Sequence, residues 1–482
     1  MNIAMILEMA ADALGDRLAY GTRADGLSYE ALRQAARGIA ERVDGTGAER
    51  LALMESNAPI VPATLFGAAW AGVSYAPLNY RLPEAQLEAL LGRIEPAVVA
   101  APHWLDNKGS SDRAFPDDPD APAVLLFTSG TSAEPKAAIL EHDQLLAYIF
   151  NTLEFASAGE DEAAIVVVPP FHVAGVAAVL SNTYVGRRIV PVPGVRFSAE
   201  DWLVTARDEG VTHAMLVPTM LGKIVEAMEA DESLRVPTLR ALSYGGAKMH
   251  PSILRRALLL FPEVDFVNAY GLTETSSTVA ILGPDDHRLA LYSDEPLFTA
   301  RLGSVGQPVP GIEFRIVDAS GETLGPDEPG EILIKGDQVG GKYVGTDSKV
   351  DADGWLHTGD RGWLDIEGYV FCEGRADDTI IRGGENIGPA EVEDALLQHD
   401  AISVAAVVGL DDEQYGESIA AMISLRPGVD EVNLDAVCDW VRERIGGLKT
   451  PELIEVVDEV PQTATGKILR REVKRLLEEQ YR

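Results

Sequence analysis

The sequence predicts an α/β protein: a large N-terminal domain of mostly parallel sheets with helices and a β-rich subdomain, then a small α+β C-terminal domain. Three observations carry this expectation. Short apolar runs ending in Pro or Gly alternate with longer amphipathic patterns, as the strand–helix units of parallel sheets do. From about Gly303 the texture changes to short strands separated by glycines. After Arg375 a charged stretch leads into a second, smaller set of helices and strands. A chain of 482 residues also exceeds what one hydrophobic core supports, so two or more domains are expected.

Taken in order, the runs AAIVVVPP, HAMLVPTM, LRALSYGG and VDFVNAYG each read as a buried strand stopped by Pro or Gly. SAEDWLVTARDEG and HPSILRRALLLF read as helices between them. Ligand sites in such sheets gather at the carboxyl ends of the strands, where the polar stretches of this chain lie. GSVGQPVPGIEFRIVD, GEILIKG and GYVFCEGR supply the β-rich subdomain. A helix is expected from near Pro389, with Glu391 and Glu393 at the positive end of its dipole and Val392, Leu396 and His399 at helical spacing. SVAAVVGL, AAMISL and LIEVVDEV read as strands, and a last helix carries Leu469, Val473, Leu476 and Leu477 on one face. The boundary falls near Gly374 to Asp377, dividing the chain into 1–376 and 377–482.

Acidic residues outnumber basic ones, 76 to 40, for a net charge of -36. Such a field repels nucleic acid and anionic membranes, and any anionic substrate must be met by local lysines and arginines. With only Cys372 and Cys438, neither a disulfide framework nor a cysteine zinc site is expected. The N-terminal stretch has no basic segment before its apolar residues and carries Glu8, unlike a secretory signal. No apolar run is long enough to span a bilayer. A cytoplasmic location is the expectation.

FTSGTSAEPKAA follows an apolar run and surrounds Gly130 with Thr128, Ser129, Thr131 and Ser132 before Lys136. Backbone N–H groups, hydroxyls and a lysine can cradle an anion there. It is not a Walker loop, because Lys136 precedes Ala137 rather than Ser or Thr; alone, it is equally well a polar turn. In NAYGLTETS, Thr273 can donate to a phosphate and Glu274 is a hard oxygen ligand for Mg²⁺, or simply a surface carboxylate. In GWLHTGDRG, Asp360 can accept from ribose hydroxyls or serve as a turn aspartate. GRADDTIIRGGENIGPAEVE holds Arg375, Asp377 and the pair Gly383-Gly384, which permits close backbone approach or makes a flexible linker. PQTATGKILRR places Lys467 after a Thr/Gly turn, as a working cation or a solvent lysine. His172 in VVPPFHVAG is structural unless it lies beside the glycine loop.

Together these segments resemble the adenylate-forming superfamily of acyl-CoA synthetases, luciferase-like ligases and peptide-synthetase adenylation domains. Five motifs match in order over nearly the whole chain, most closely those of acyl-CoA synthetases. One departs: the loop usually reads T-G-x-P-K-G, whereas Ala133 and Ala137 stand here in place of glycines. Alanine disfavours the positive φ angles glycine tolerates, which stiffens the loop.

The resemblance implies an enzyme in which a carboxylate attacks the α-phosphorus of ATP, giving an acyl-adenylate and pyrophosphate, after which a thiol takes the acyl group. It implies that Lys467 contacts the carboxylate and α-phosphate, Thr273 the α-phosphate, Glu274 the Mg²⁺, and Thr128 to Lys136 the β- and γ-phosphates. Asp360 and Arg375 would bind ribose. Gly245, Gly246, Ala247, Asn268, Ala269, Tyr270 and Gly271 would flank adenine and the acyl group. The small domain would be mobile, rotating about Asp377, with Gly383 and Gly384 lining a passage for CoA and His172 where that passage meets the acyl pocket. His172, Val173, Ala174, Gly175, Val176, Ala269 and Leu272 would line an apolar pocket for a medium-sized or bulky hydrophobic acid, with Gly271 leaving it open. The acceptor would be CoA, or the phosphopantetheine of a carrier protein; a non-catalytic nucleotide sensor is the alternative from another class, and a homodimer is left open.

Overall fold

The computed structural model describes residues 1–482 apart from 110–113, 119–120, 129–134, 193, 195–196, 346, 383–384, 413–414, 464–465 and 482. Among the described residues, four sheets organise the chain. The largest has nine strands, with Asp265–Leu272, Ala241–Gly245, His213–Leu216, Ala163–Val166, Arg188–Pro191 and Leu18–Gly21 as consecutive parallel neighbours at its centre. The apolar runs read from the sequence are these strands. All four residues of Ala163–Val166 are buried, as expected of a parallel strand covered on both faces.

Helices Val173–Val185, Ala199–Asp208, Pro218–Ala230 and Pro251–Leu260 alternate with these strands. Their starts follow capping chemistry: the Ser198 hydroxyl accepts from the Asp201 amide at 3.2 Å, and prolines open the last two. A second sheet of five strands contains Pro122–Thr128, paired antiparallel with Lys136–Glu141. The loop between these strands is the phosphate-cradle candidate.

The β-rich region is a four-stranded antiparallel sheet of Ile312–Val317, Gly330–Gly336, Leu356–Leu364 and Val370–Arg375, with Ile316, Ile332, Ile334 and Val370 in its core. It begins later than Gly303, because Gln307–Pro308 pairs into the nine-stranded sheet instead. Two backbone hydrogen bonds tie this region to the second sheet: the Ile139 amide donates to the Lys342 carbonyl at 3.0 Å and the Val344 amide to the Ala137 carbonyl at 2.9 Å. That seam carries Tyr343 to the cradle candidate.

The C-terminal α+β part holds the fourth sheet, with long antiparallel strands Ile402–Asp412 and Gly416–Leu425 and the parallel strand Leu453–Val456. Helices Pro389–Leu397, Leu434–Ile445 and Arg470–Tyr481 pack on it. The first starts at the expected proline, yet His399 lies past its end. Leu469 precedes the last helix and is exposed, whereas Val473 and Leu477 are fully buried. The single turn Ala376–Asp378 joins the third sheet to the fourth. No helix among the described residues is long and apolar enough to cross a membrane.

Candidate active site

A cavity of about 640 Å³ opens at the carboxyl ends of the central parallel strands, with the C-terminal part forming its opposite wall. Gly245, Gly246, Ala247, Asn268, Ala269, Tyr270, Gly271 and Leu272 line one side. Asp360 and Arg375 enter from the β-rich sheet, and Gly466, Lys467 and Arg470 from the C-terminal part. Gly245 and Ala269 stand opposite each other in register, and a Cβ on Gly245 would lie 2.2 Å from the Ala269 carbonyl oxygen. Glycine here keeps two strand ends in contact. Gly271 has a similar duty: its Cβ would meet the Ser277 carbonyl oxygen at 1.7 Å, where the neighbouring strand slips register. It serves this backbone packing as well as widening the cavity.

Asp360 is nearly buried and faces Arg375 across an antiparallel pair. Arg375 Nε lies 3.1 Å from Asp360 Oδ1, and the Tyr270 hydroxyl donates to Oδ2 at 2.6 Å. Burial pushes the Asp360 carboxyl up from its ordinary pKa, while Arg375 and Tyr270 pull against that. Arg375 also donates to the Thr358 carbonyl at 2.6 Å, which fixes the guanidinium on the cavity edge.

Lys467 sits on a tight turn, its amide bonded to the Thr463 hydroxyl at 3.0 Å and its carbonyl to the Thr463 amide at 2.7 Å. Three residues on, Arg470 donates to both Glu393 carboxylate oxygens at 2.7 Å, bracing the turn against helix Pro389–Leu397. The Lys467 ammonium reaches solvent through the cavity, yet protein surrounds it closely. Burial and the Arg375 charge lower its pKa, against Asp360 and Asp378, which raise it. Burial, then the nearby Lys467, also lower the pKa of His172. Lys467 therefore shares the cavity with Asp360 and Arg375, and its charge is felt at His172, residues far apart in sequence.

Glu274 lies in the single turn Thr273–Thr275, followed by Ser276 and Ser277 at φ of 55° and 133°, a strained path for non-glycine residues. Its Oε1 accepts from Lys349 Nζ at 2.8 Å and from the Tyr343 hydroxyl. Burial opposes ionisation, but Lys349 and Tyr343 overcome it and hold the carboxyl below its ordinary pKa. The Thr128 hydroxyl lies beside Tyr343 and accounts for part of that tyrosine's electrostatics. Thr128 also pairs in register with Lys136, which is exposed at the mouth of the cradle candidate. Ser129, Gly130, Thr131, Ser132 and Ala133 lie outside the described residues, as do Gly383 and Gly384.

A buried anionic oxygen ligand suits a hard cation. No group of three or more His, Cys, Asp or Glu side chains able to hold a metal occurs among the described residues. Cys372 lines the cavity, but burial pushes its thiol up to about 12, which leaves it inert.

The expected acyl lining divides. Leu272 and Ala269 face the cavity. Val173, Ala174 and Val176 instead belong to the N-terminal core, and a Cβ on Gly175 would meet the Pro169 carbonyl oxygen at 2.3 Å. His172 caps that helix, its Nδ1 accepting from the Ala174 amide at 3.4 Å. Thr219, Gly222, Lys223 and Glu226, on one stripe of helix Pro218–Ala230, line the cavity together with Met249 and Ile253. Sequence reasoning missed them, although the i, i+3, i+4, i+7 spacing just after a strand was a usable signal. It also missed a contact across the cavity, where Asp394 accepts from His250 Nδ1 at 2.8 Å and from Lys248 at 3.0 Å.

The family described as AMP-binding enzyme matches residues 100–344, and the AMP-binding enzyme C-terminal domain matches residues 391–467. A fatty acid–[acyl-carrier-protein] ligase of Streptomyces coeruleorubidus is 30% identical, over 93% of this chain and 91% of its own. A feruloyl-CoA synthase of Amycolatopsis sp is 31% identical, over 93% of this chain and 94% of its own. Among solved structures, the o-succinylbenzoate CoA synthetase of Bacillus subtilis in complex with its acyl-adenylate intermediate is 26% identical, covers 97% of each chain and superposes with a TM-score of 0.84.

Proposed function

The chain belongs to the AMP-binding enzyme family, and from that premise we propose how its cavity joins a carboxylic acid to a thiol. It is an ATP-dependent, AMP-forming acid–CoA ligase that acts through an acyl-adenylate. In the first half-reaction a carboxylate oxygen bonds to the α-phosphorus of ATP while the bond to the bridging oxygen breaks and pyrophosphate leaves. In the second, a thiolate bonds to the acyl carbon and AMP departs with its phosphate oxygens intact.

Charge gathers on the phosphoryl oxygens in the first step, so fixed cations and donors carry most of the catalysis. Lys467 sets its ammonium between the carboxylate and the α-phosphate, and the convergence of Lys467, Asp360 and Arg375 on one cavity is the observation that carries this reading. Thr273 donates to the α-phosphate. Asp360 and Arg375 receive the ribose, Asp360 with lone pairs remaining beyond Tyr270 and Arg375. Thr128 and Lys136 meet the terminal phosphates. Glu274 holds Mg²⁺, which when bound neutralises phosphate charge. His172 is neutral around pH 7, since its pKa is lowered, and so adds no positive charge beside Lys467.

The acid is hydrophobic and of medium or bulky size, held against the apolar part of the wall that Ala247, Ala269, Leu272, Met249 and Ile253 supply. The acceptor is CoA. Carrier-protein phosphopantetheine is the second reading, favoured by the similarity to a fatty acid–[acyl-carrier-protein] ligase. The C-terminal part from Asp377 turns as a unit between the half-reactions. A net charge of -36 sets nucleic acid aside as a partner.

Pyrophosphate release from ATP and Mg²⁺ across a panel of carboxylic acids, with and without CoA, tests this directly. Acid-dependent release, with acyl-CoA detected by mass, is expected. Nucleotide binding without release for any acid would instead favour a non-catalytic sensor.

A further inference from the structure

On the reading of Glu274 as the metal ligand of the nucleotide site, we propose that Lys349 is a built-in counter-ion of that carboxylate. Lys349 occupies Glu274 until nucleotide arrives, then releases it to Mg²⁺ and turns its own ammonium to the terminal phosphates.

The two side chains come together across 75 positions of sequence, with Lys349 Nζ 2.8 Å from Glu274 Oε1. The Tyr343 hydroxyl donates to the same oxygen, and Lys349 Nζ lies 5.2 Å from the centre of the Tyr343 ring. The ammonium is therefore held by a carboxylate and an aromatic face at once. Glu274 has a side chain only 11% exposed, against 45% for Lys349. A carboxylate that secluded needs a positive partner, and Lys349 supplies one.

The lysine is also built to leave. Its backbone is anchored at both ends: the amide donates to the Gly341 carbonyl at 3.0 Å, and the carbonyl accepts from the His357 amide at 3.2 Å. Its ammonium, in contrast, rides on a half-exposed four-carbon stem that can swing by a few ångströms. Oε1 cannot serve an ammonium and a Mg²⁺ at inner-sphere distance with equal strength. The Tyr343 hydroxyl, which shares Glu274 Oε1 with Lys349, also lies beside the Thr128 hydroxyl, so the displaced ammonium stays near the strand end where the β- and γ-phosphates are placed in the reading above.

Two binding measurements that require no turnover test this: Mn²⁺ titration of the nucleotide-free protein by electron paramagnetic resonance, and calorimetry of ATP binding in EDTA. In Lys349→Met, Mn²⁺ is expected to bind about tenfold tighter and metal-free ATP about tenfold weaker, as the loss of one charge-assisted contact implies. Lys349→Arg keeps both at wild-type values, and adding Glu274→Gln to Lys349→Met abolishes the Mn²⁺ gain. Unchanged or weakened Mn²⁺ binding in Lys349→Met, with MgATP still bound, overturns the inference and leaves the ATP site standing. A wild-type protein that binds nucleotide neither with nor without Mg²⁺ overturns the site reading, and the inference with it.

Discussion

Lys467 stands where its charge is costly: burial and Arg375 disfavour the ammonium, while Asp360 and Asp378 hold it. Its pKa is lowered, so the proton is lost at a lower pH than from a free lysine. Adenylate formation should accordingly fall on the alkaline side earlier than an unperturbed lysine would dictate. Asp360→Asn, which removes a supporting carboxylate, should move that limb to still lower pH in pyrophosphate-release profiles. Lys467→Ala should slow pyrophosphate release by roughly 10²–10³, yet leave thioester formation from supplied acyl-adenylate intact. Loss of both half-reactions in a folded variant would contradict the role. Lys467, Asp360, Arg375 and Glu274 could be singled out in the sequence because each sits in a short glycine-marked run. Lys349, Tyr343 and Lys223 could not, since their meaning lies in partners or walls that only the fold brings near.

At the scale of elements, the turn bearing Lys467 docks through a missing side chain. Gly466 has φ of 73°, and a Cβ there would lie 2.0 Å from the Thr219 hydroxyl oxygen on helix Pro218–Ala230. Gly466→Ala should therefore reduce pyrophosphate release by about tenfold, with thioester formation from supplied adenylate preserved. Thr219→Ala in that background should restore part of the loss; no recovery would mean that backbone strain alone accounts for it. The parallel strands were readable because burial on both faces makes them continuous apolar runs. Helix Val173–Val185 was harder: it is apolar nearly all round and buried on nearly every position, so its sequence does not say which face meets a cavity. That is why residues 173–176, expected as pocket lining, are found packed in the core instead.

For the whole molecule, the turn Ala376–Asp378 is the covalent link between a wall carrying Asp360 and Arg375 and a wall carrying Lys467. Asp377→Pro fixes φ at the proposed pivot. Pyrophosphate release should persist while acyl-CoA formation is lost, and unchanged acyl-CoA formation would move the pivot elsewhere. The change of texture after Arg375 made the two-part organisation legible. The way the parts meet, through Asp394 with Lys248 and His250, was not, because such pairs leave no local pattern.

The cavity has walls on two bodies, with Met249 and Ile253 on one and Val404 and Leu425 on the other. A compound that touched both would act as a glue. Its residence time would follow the opening of the protein more than the strength of either set of contacts, and a slow-leaving inhibitor of this chain would be found by spanning the seam rather than by filling one side.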